Sequence, residues 1–167
     1  MVEWFGNVLD GIMKRNEIGE IAHQMWLDIT NNHENIILDE FVVMPNHVHG
    51  IIAICEKNNC GKAHGRDANG KGRDAINRVS TGGITKTNNP MLSRQSLSYI
   101  VRQYKGRVSF EIHKTQPGFT WHSRFYDHII RNEKGLNAIR KYINDNPSQW
   151  EEDRNNPSGL TNWQKLL

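Results

Sequence analysis

Two histidines separated by one residue, His47 and His49, have a spacing that suggests chemistry. On a strand, positions i and i+2 point to the same face, so the pair would present two imidazoles side by side. That arrangement offers two nitrogen ligands to one metal ion. A Met44-Pro45-Asn46 turn signal precedes the pair, with Val42-Val43 before it and Ile51-Ile52 after it. Far downstream, Tyr142 and Asn146 stand four apart near the end of a helical pattern, one above the other on a helix face. Two imidazoles and one amide oxygen leave open positions on a divalent ion, which can hold and polarise a phosphate. A tyrosine hydroxyl beside such an ion can attack the phosphorus and form a covalent phosphotyrosine. The residues also have a simpler reading. The histidines would cap a half-exposed strand, and Tyr142, three after Ile139, would be a half-buried core side chain.

The elements that must position these residues show in the periodicity. Ile18, Ile21, Ala22, Met25, Trp26 and Ile29 recur at helical spacing, which predicts an amphipathic helix from Glu17 to about Thr30. Residues 36–54 read as two antiparallel strands around the Pro45 turn, with His47, His49, Ile51 and Ala53 on one face of the second. Ser93 or Ser96 can cap a helix whose stripe is Leu97, Ile100, Val101, Tyr104 and Val108. Alternation from Thr120 to Ile130 predicts a further strand. Asn132 can cap a last helix carrying Leu136, Ile139 and Ile143, which Pro147 brings to an end near Asn146. Residues 1–16 show no clear pattern beyond apolar side chains for a brief strand or turn.

At 167 residues the chain is long enough for one domain with a real core. That domain is expected over residues 1–150, followed by a polar tail, 151–167, anchored by Trp150 and Trp163. Residues 56–90 are rich in Gly, Asn, Lys, Arg and Thr and repeat Gly-Arg-Asp-Ala at 65–68 and 72–75. Such a stretch has too little apolar surface to offset its ordering entropy, so a flexible insertion is expected. Net charge is only +3, yet residues 1–40 carry eight acidic and two basic side chains and residues 91–131 seven basic and two acidic. The basic half suits a polyanion such as nucleic acid. No apolar run approaches spanning length and no signal peptide opens the chain, so a cytoplasmic protein without a membrane partner is expected. Cys55 and Cys60 are too few for a disulfide framework or a zinc site and are expected to be reduced. Neither GxSxG nor a Walker-type glycine loop occurs, and Ile51 stands where an HxHxH motif would need its third histidine.

Four blocks in order resemble one family: Val43-Met44-Pro45-Asn46-His47-Val48-His49; Tyr104-Lys105-Gly106-Arg107; Trp121 through Glu133; and Lys141-Tyr142-Ile143-Asn144-Asp145-Asn146-Pro147. The chain resembles the HUH-type single-tyrosine transposases of the IS200/IS605 kind, in particular the REP-associated tyrosine transposases. The resemblance implies an α+β fold: an antiparallel sheet with helices packed mainly on one face, ferredoxin-like in topology. Here it would lack part of its first strand, with Val2 to Phe5 as the remnant. It implies that His47 and His49 bind a Mg²⁺ or Mn²⁺ ion with Asn146 as third ligand. Tyr142 would then be the nucleophile that cuts hairpin-bearing single-stranded DNA and keeps the 5′-phosphate. Lys105, Arg107, Arg124 and Arg131 are the candidate DNA contacts. Relatives occur as monomers and as dimers that share active sites. Two other readings share these residues: a non-catalytic nucleic-acid-binding relative, and a histidine-metal phosphodiesterase that uses water.

Overall fold

The computed structural model describes residues 2–55, 96–122 and 125–157. The expected insertion 56–90, Cys60, Ser93, Arg124 and Trp163 lie outside the described residues. Within them the fold is α+β, with two small antiparallel sheets of two strands each. Strands β1 (Gly6–Leu9) and β2 (Ile12–Arg15) form a first hairpin, and β3 (Ile36–Val43) and β4 (Val48–Ile54) a second. Helices α1 (Glu17–Leu27), α2 (Ile29–Asn32), α3 (Leu97–Ile112) and α4 (Glu133–Asp145) surround the second hairpin, and a 3₁₀ turn follows at Pro147–Glu152.

The first hairpin has a local cause that the apolar pattern hides. Asp10 and Gly11 adopt φ of 52° and 72°, the left-handed pair that a two-residue hairpin turn requires. Asp-Gly between short apolar runs is a strong signal for such a turn. This hairpin stands where only a brief strand or turn was expected. Residues 2–5 form no strand. Phe5 instead donates its backbone N–H to the Pro45 carbonyl at 2.9 Å and accepts from Asn16 N–H at 3.1 Å, which joins the 44–47 turn to the start of α1.

Helix α1 begins where Asn16 caps it, its side chain accepting from Gly19 N–H at 2.9 Å. It stops at Leu27, short of the expected Thr30. Asp28 ends it, and Asn31 and Asn32 turn their side-chain amides back onto Asp28, a local competitor of the helical ladder. Ser96 caps α3 and Asn132 caps α4 in the same manner.

The two faces of the β3–β4 hairpin carry different helices. Phe41 pairs with Gly50, and both meet Trp26 of α1: the Phe41 and Trp26 rings stack at 5.7 Å, and a Cβ on Gly50 would overlap the indole. Tyr104 of α3 meets Trp26 edge-on at 5.2 Å and donates its hydroxyl to the Ala22 carbonyl. Phe5, Ile100, Val108, Ile112 and Phe119 complete this core. Each buried aliphatic or phenyl group there is worth about 1.5–3 kcal/mol. Helix α4 packs on the opposite face, where Tyr142 meets His49.

Two further expectations are corrected. Residues 120–122 and 125–130 form no strand. Alternation proposes a strand, but a strand needs a partner edge for its backbone groups. Here Phe125, Tyr126 and Ile129 lie exposed, with Tyr126 91% accessible. Cys55 is disulfide-bonded, not a reduced thiol. Cysteine count cannot exclude this, because two thiols need only close Cα atoms to bond.

Candidate active site

The 44–47 turn is tight, with Met44 N–H donating to the His47 carbonyl at 2.8 Å. It starts β4 in the register that sets His49 opposite Val42 and turns both histidines away from Trp26. The two imidazoles meet as expected from their spacing: Nε2 of His47 and Nε2 of His49 are 2.9 Å apart, with ring centroids at 4.6 Å. Burial, together with the neighbouring His49, pushes the His47 imidazole down to about pKa 4, against the opposing pull of the Asp153 carboxylate. Burial lowers His49 as well, again opposed by Asp153. Both rings are therefore neutral at physiological pH, the state in which imidazole donates a lone pair to a metal.

Helix α4 reaches the pair because β3 is bulged. Leu38 pairs with Ile52 and Phe41 with Gly50, so Asp39 and Glu40 together oppose Ile51. The bulge satisfies the extra backbone N–H of Glu40 through Asp39 Oδ1 at 2.8 Å. It also aims the Asp39 carboxylate at α4, where Arg140 grips it with Nε at 2.8 Å and Nη2 at 2.5 Å. That bidentate grip holds the Asp39 carboxyl below the usual carboxylate range. Two residues past Arg140, Tyr142 sets its ring edge-on to His49 with centroids 5.3 Å apart, and the residue is 48% exposed.

Tyr142, Asn146 and Trp150 follow at intervals of four along α4 and the 3₁₀ turn. Tyr142 touches His49 and Trp150 lies 6.0 Å from His47. Asn146 stands between them in the chain. It is 97% buried, and its Oδ1 is a buried polar atom with no hydrogen-bond partner. An orphaned buried acceptor costs about 1–3 kcal/mol. Among the described residues no three His, Cys, Asp or Glu side chains converge on one point. The two neutral imidazoles form a donor pair suited to a divalent cation, and Asn146 Oδ1, four residues past Tyr142, is an oxygen acceptor in need of a partner.

Of the expected DNA contacts, the three among the described residues are not gathered here. Lys105 donates to the His122 carbonyl at 3.0 Å, lies over the Trp121 ring at 5.5 Å and is partly desolvated, which lowers its pKa. Arg107 pairs with Asp28 at 3.4 Å. Arg131 is exposed just before α4. Sequence reading missed the contribution of residues 153–156. Trp150 is buried, as expected of a tail anchor, but the tail's contact with the turn was not foreseen: the Asn155 carbonyl accepts from Asn46 Nδ2 at 2.7 Å. Asn46 Oδ1 lies 2.7 Å from His47 Nδ1. The one signal available was Asn46 itself, an amide beside a candidate ligand.

An uncharacterized protein of Haemophilus influenzae is 33% identical over 151 residues, covering 90% of this chain and 76% of that protein. This chain belongs to its family. A match of that length in a chain of 167 residues runs across both halves of the site, the β4 histidines and the α4 tyrosine. No family model matches the chain. No solved structure matches it either. Among the described residues, no helix is long and apolar enough to cross a membrane.

Proposed function

We propose that this protein is a metal-dependent, HUH-type single-tyrosine transposase or endonuclease that cleaves and rejoins hairpin-bearing single-stranded DNA. The observation that carries this reading is the meeting of Tyr142 with the His47–His49 pair. A tyrosine reaches that pair from a helix tied to β3 across 101 residues of chain by Arg140 and Asp39. The orphaned Oδ1 of Asn146 supports a third ligand at this place. Mg²⁺ or Mn²⁺ held by His47, His49 and Asn146 would polarise the scissile phosphate. The mixed nitrogen and oxygen donors favour Mn²⁺.

The chain's own residues do the rest. Tyr142 is half exposed, so its hydroxyl is open to a strand laid along α4. In the forward step Tyr142 Oη gives up its proton to solvent and bonds to phosphorus, the bond to the 3′-oxygen breaks, and that oxygen takes a proton from solvent and leaves as a 3′-hydroxyl. In the joining step a 3′-hydroxyl attacks the phosphotyrosine and Tyr142 is released. Exposed Arg131 lies just before α4, at the end of the helix away from Tyr142, and is open to phosphate contact along the helix. The same reading proposes the HUH arrangement of the ferredoxin-like fold for this α+β domain, a cytoplasmic setting, and single-stranded DNA as partner.

The test is a labelled hairpin-bearing strand incubated with Mn²⁺ and resolved on a denaturing gel. The wild type is expected to give a protein–DNA adduct that chelation prevents. Tyr142→Phe is expected to lower adduct formation by at least about 10³-fold. An adduct that survives in Tyr142→Phe rejects the nucleophile. Free 5′-phosphate ends without an adduct point to water as the attacking group, and binding without cleavage points to a non-catalytic relative.

A further inference from the structure

The hydrogen bonds around His47 form a chain with one allowed direction. The Asn155 backbone carbonyl can only accept, so the Asn46 group 2.7 Å from it is the amide NH₂. The other end of Asn46, its Oδ1, then faces His47 Nδ1 at 2.7 Å and can only accept as well. His47 must therefore carry its proton on Nδ1, and its Nε2 lone pair points at the space shared with His49 Nε2. A free imidazole in water favours the opposite tautomer. The acceptor that reverses this preference is 97% buried and is fixed from the far end of the chain, 109 residues away. Asp153 braces the fixing segment by accepting from Asn155 N–H at 2.6 Å.

We infer that Asn46 is a positioning residue that sets the tautomer and ring orientation of His47 for metal binding, with residues 153–155 as its clamp. This rests on the metal-site reading above. Partners of this kind fix ligand tautomer, and their loss typically weakens metal binding by about 10–100-fold. The clamp residues follow α4 and its 3₁₀ turn directly, so the helix that carries Tyr142 to His49 and the segment that fixes Asn46 are one continuous stretch of chain.

The test uses the full chain and Mn²⁺ alone. Long-range ¹⁵N NMR reports which imidazole nitrogen carries the proton, and a Mn²⁺ titration followed by electron paramagnetic resonance reports affinity. Wild-type His47 is expected to be protonated on Nδ1. Asn46→Leu is expected to move the proton to Nε2 and weaken Mn²⁺ binding by about 10–100-fold. Asn46→Asp keeps an acceptor toward Nδ1 but sets its second carboxylate oxygen against the Asn155 carbonyl, so it is expected to hold the tautomer, release the clamp and bind Mn²⁺ more tightly than Asn46→Leu and more weakly than wild type. A wild-type His47 protonated on Nε2 overturns the inference, and this measurement does not depend on Asn46→Leu folding. So does an Asn46→Leu protein that binds Mn²⁺ as tightly as wild type. An Nδ1–H wild type whose histidines do not respond to Mn²⁺ identifies a different failure: the metal site itself is then wrong, and Asn46 has no ligand to orient.

Discussion

The two faces of the β3–β4 hairpin are made from alternate residues of the same strands and have opposite characters. Toward α1, Phe41 and Gly50 receive the Trp26 ring, and Tyr104 closes over it. Toward α4, Asp39 meets Arg140 and His49 meets Tyr142. Among the described residues two buried side-chain polar atoms have no hydrogen-bond partner, Trp26 Nε1 in the aromatic core and Asn146 Oδ1 at the end of α4. The two orphans differ in what surrounds them. The indole N–H belongs to a large ring whose stacking and burial outweigh one lost hydrogen bond. The Asn146 amide has no such apolar body, and its orphaned atom is an acceptor four residues past Tyr142. One face is built on aromatic packing, and the other on polar and ring contacts to α4.

Substitutions on each face sharpen this contrast. The largest effect on stability is expected from Gly50→Ala. Its methyl group would overlap the packed Trp26 ring, and overpacking of this kind costs about 1–3 kcal/mol. Urea unfolding would measure it, and a variant as stable as wild type would show that the aromatic face yields easily.

Acidification loads the other face. Unfolded His47 takes up a proton near pH 6.5, whereas the folded side chain stays neutral down to about 4. The unfolded state therefore binds more protons between these values. Stability should be full above pH 6.5 and fall as pH drops toward 4, by about 1.4 kcal/mol per unit and about 2 kcal/mol by pH 5. Denaturation at a series of pH values checks this, and His47→Gln should flatten the slope. The smallest effect is expected from Asn146→Leu, which removes the orphaned acceptor. Without metal the variant should match or exceed wild-type stability, within about 1 kcal/mol, while its Mn²⁺ binding is lost. A clear destabilisation would mean that Asn146 serves the fold and not a ligand.

Much of the local structure was legible because it is written in short-range chemistry. Asn16, Ser96 and Asn132 cap their helices through their own side chains, and the Pro45 turn sets both strands of the second hairpin. The Asp10-Gly11 turn was equally legible but hidden among apolar residues that show no period. The strand expected at 120–130 failed for the opposite reason. Its alternation is real, but no pattern within a segment specifies the edge that would pair with it.

The candidate site divides along the same line. Sequence alone determined that His47 and His49 share a strand face and that Tyr142 and Asn146 share a helix face, since both follow from backbone periodicity. Only the tertiary structure decided that these faces meet. That depends on a one-residue bulge at Asp39, which gives Arg140 its partner across 101 residues, and on a tail carbonyl that reaches Asn46 across 109. Such contacts arise from the packing of whole elements, and the residue types at either end do not specify them.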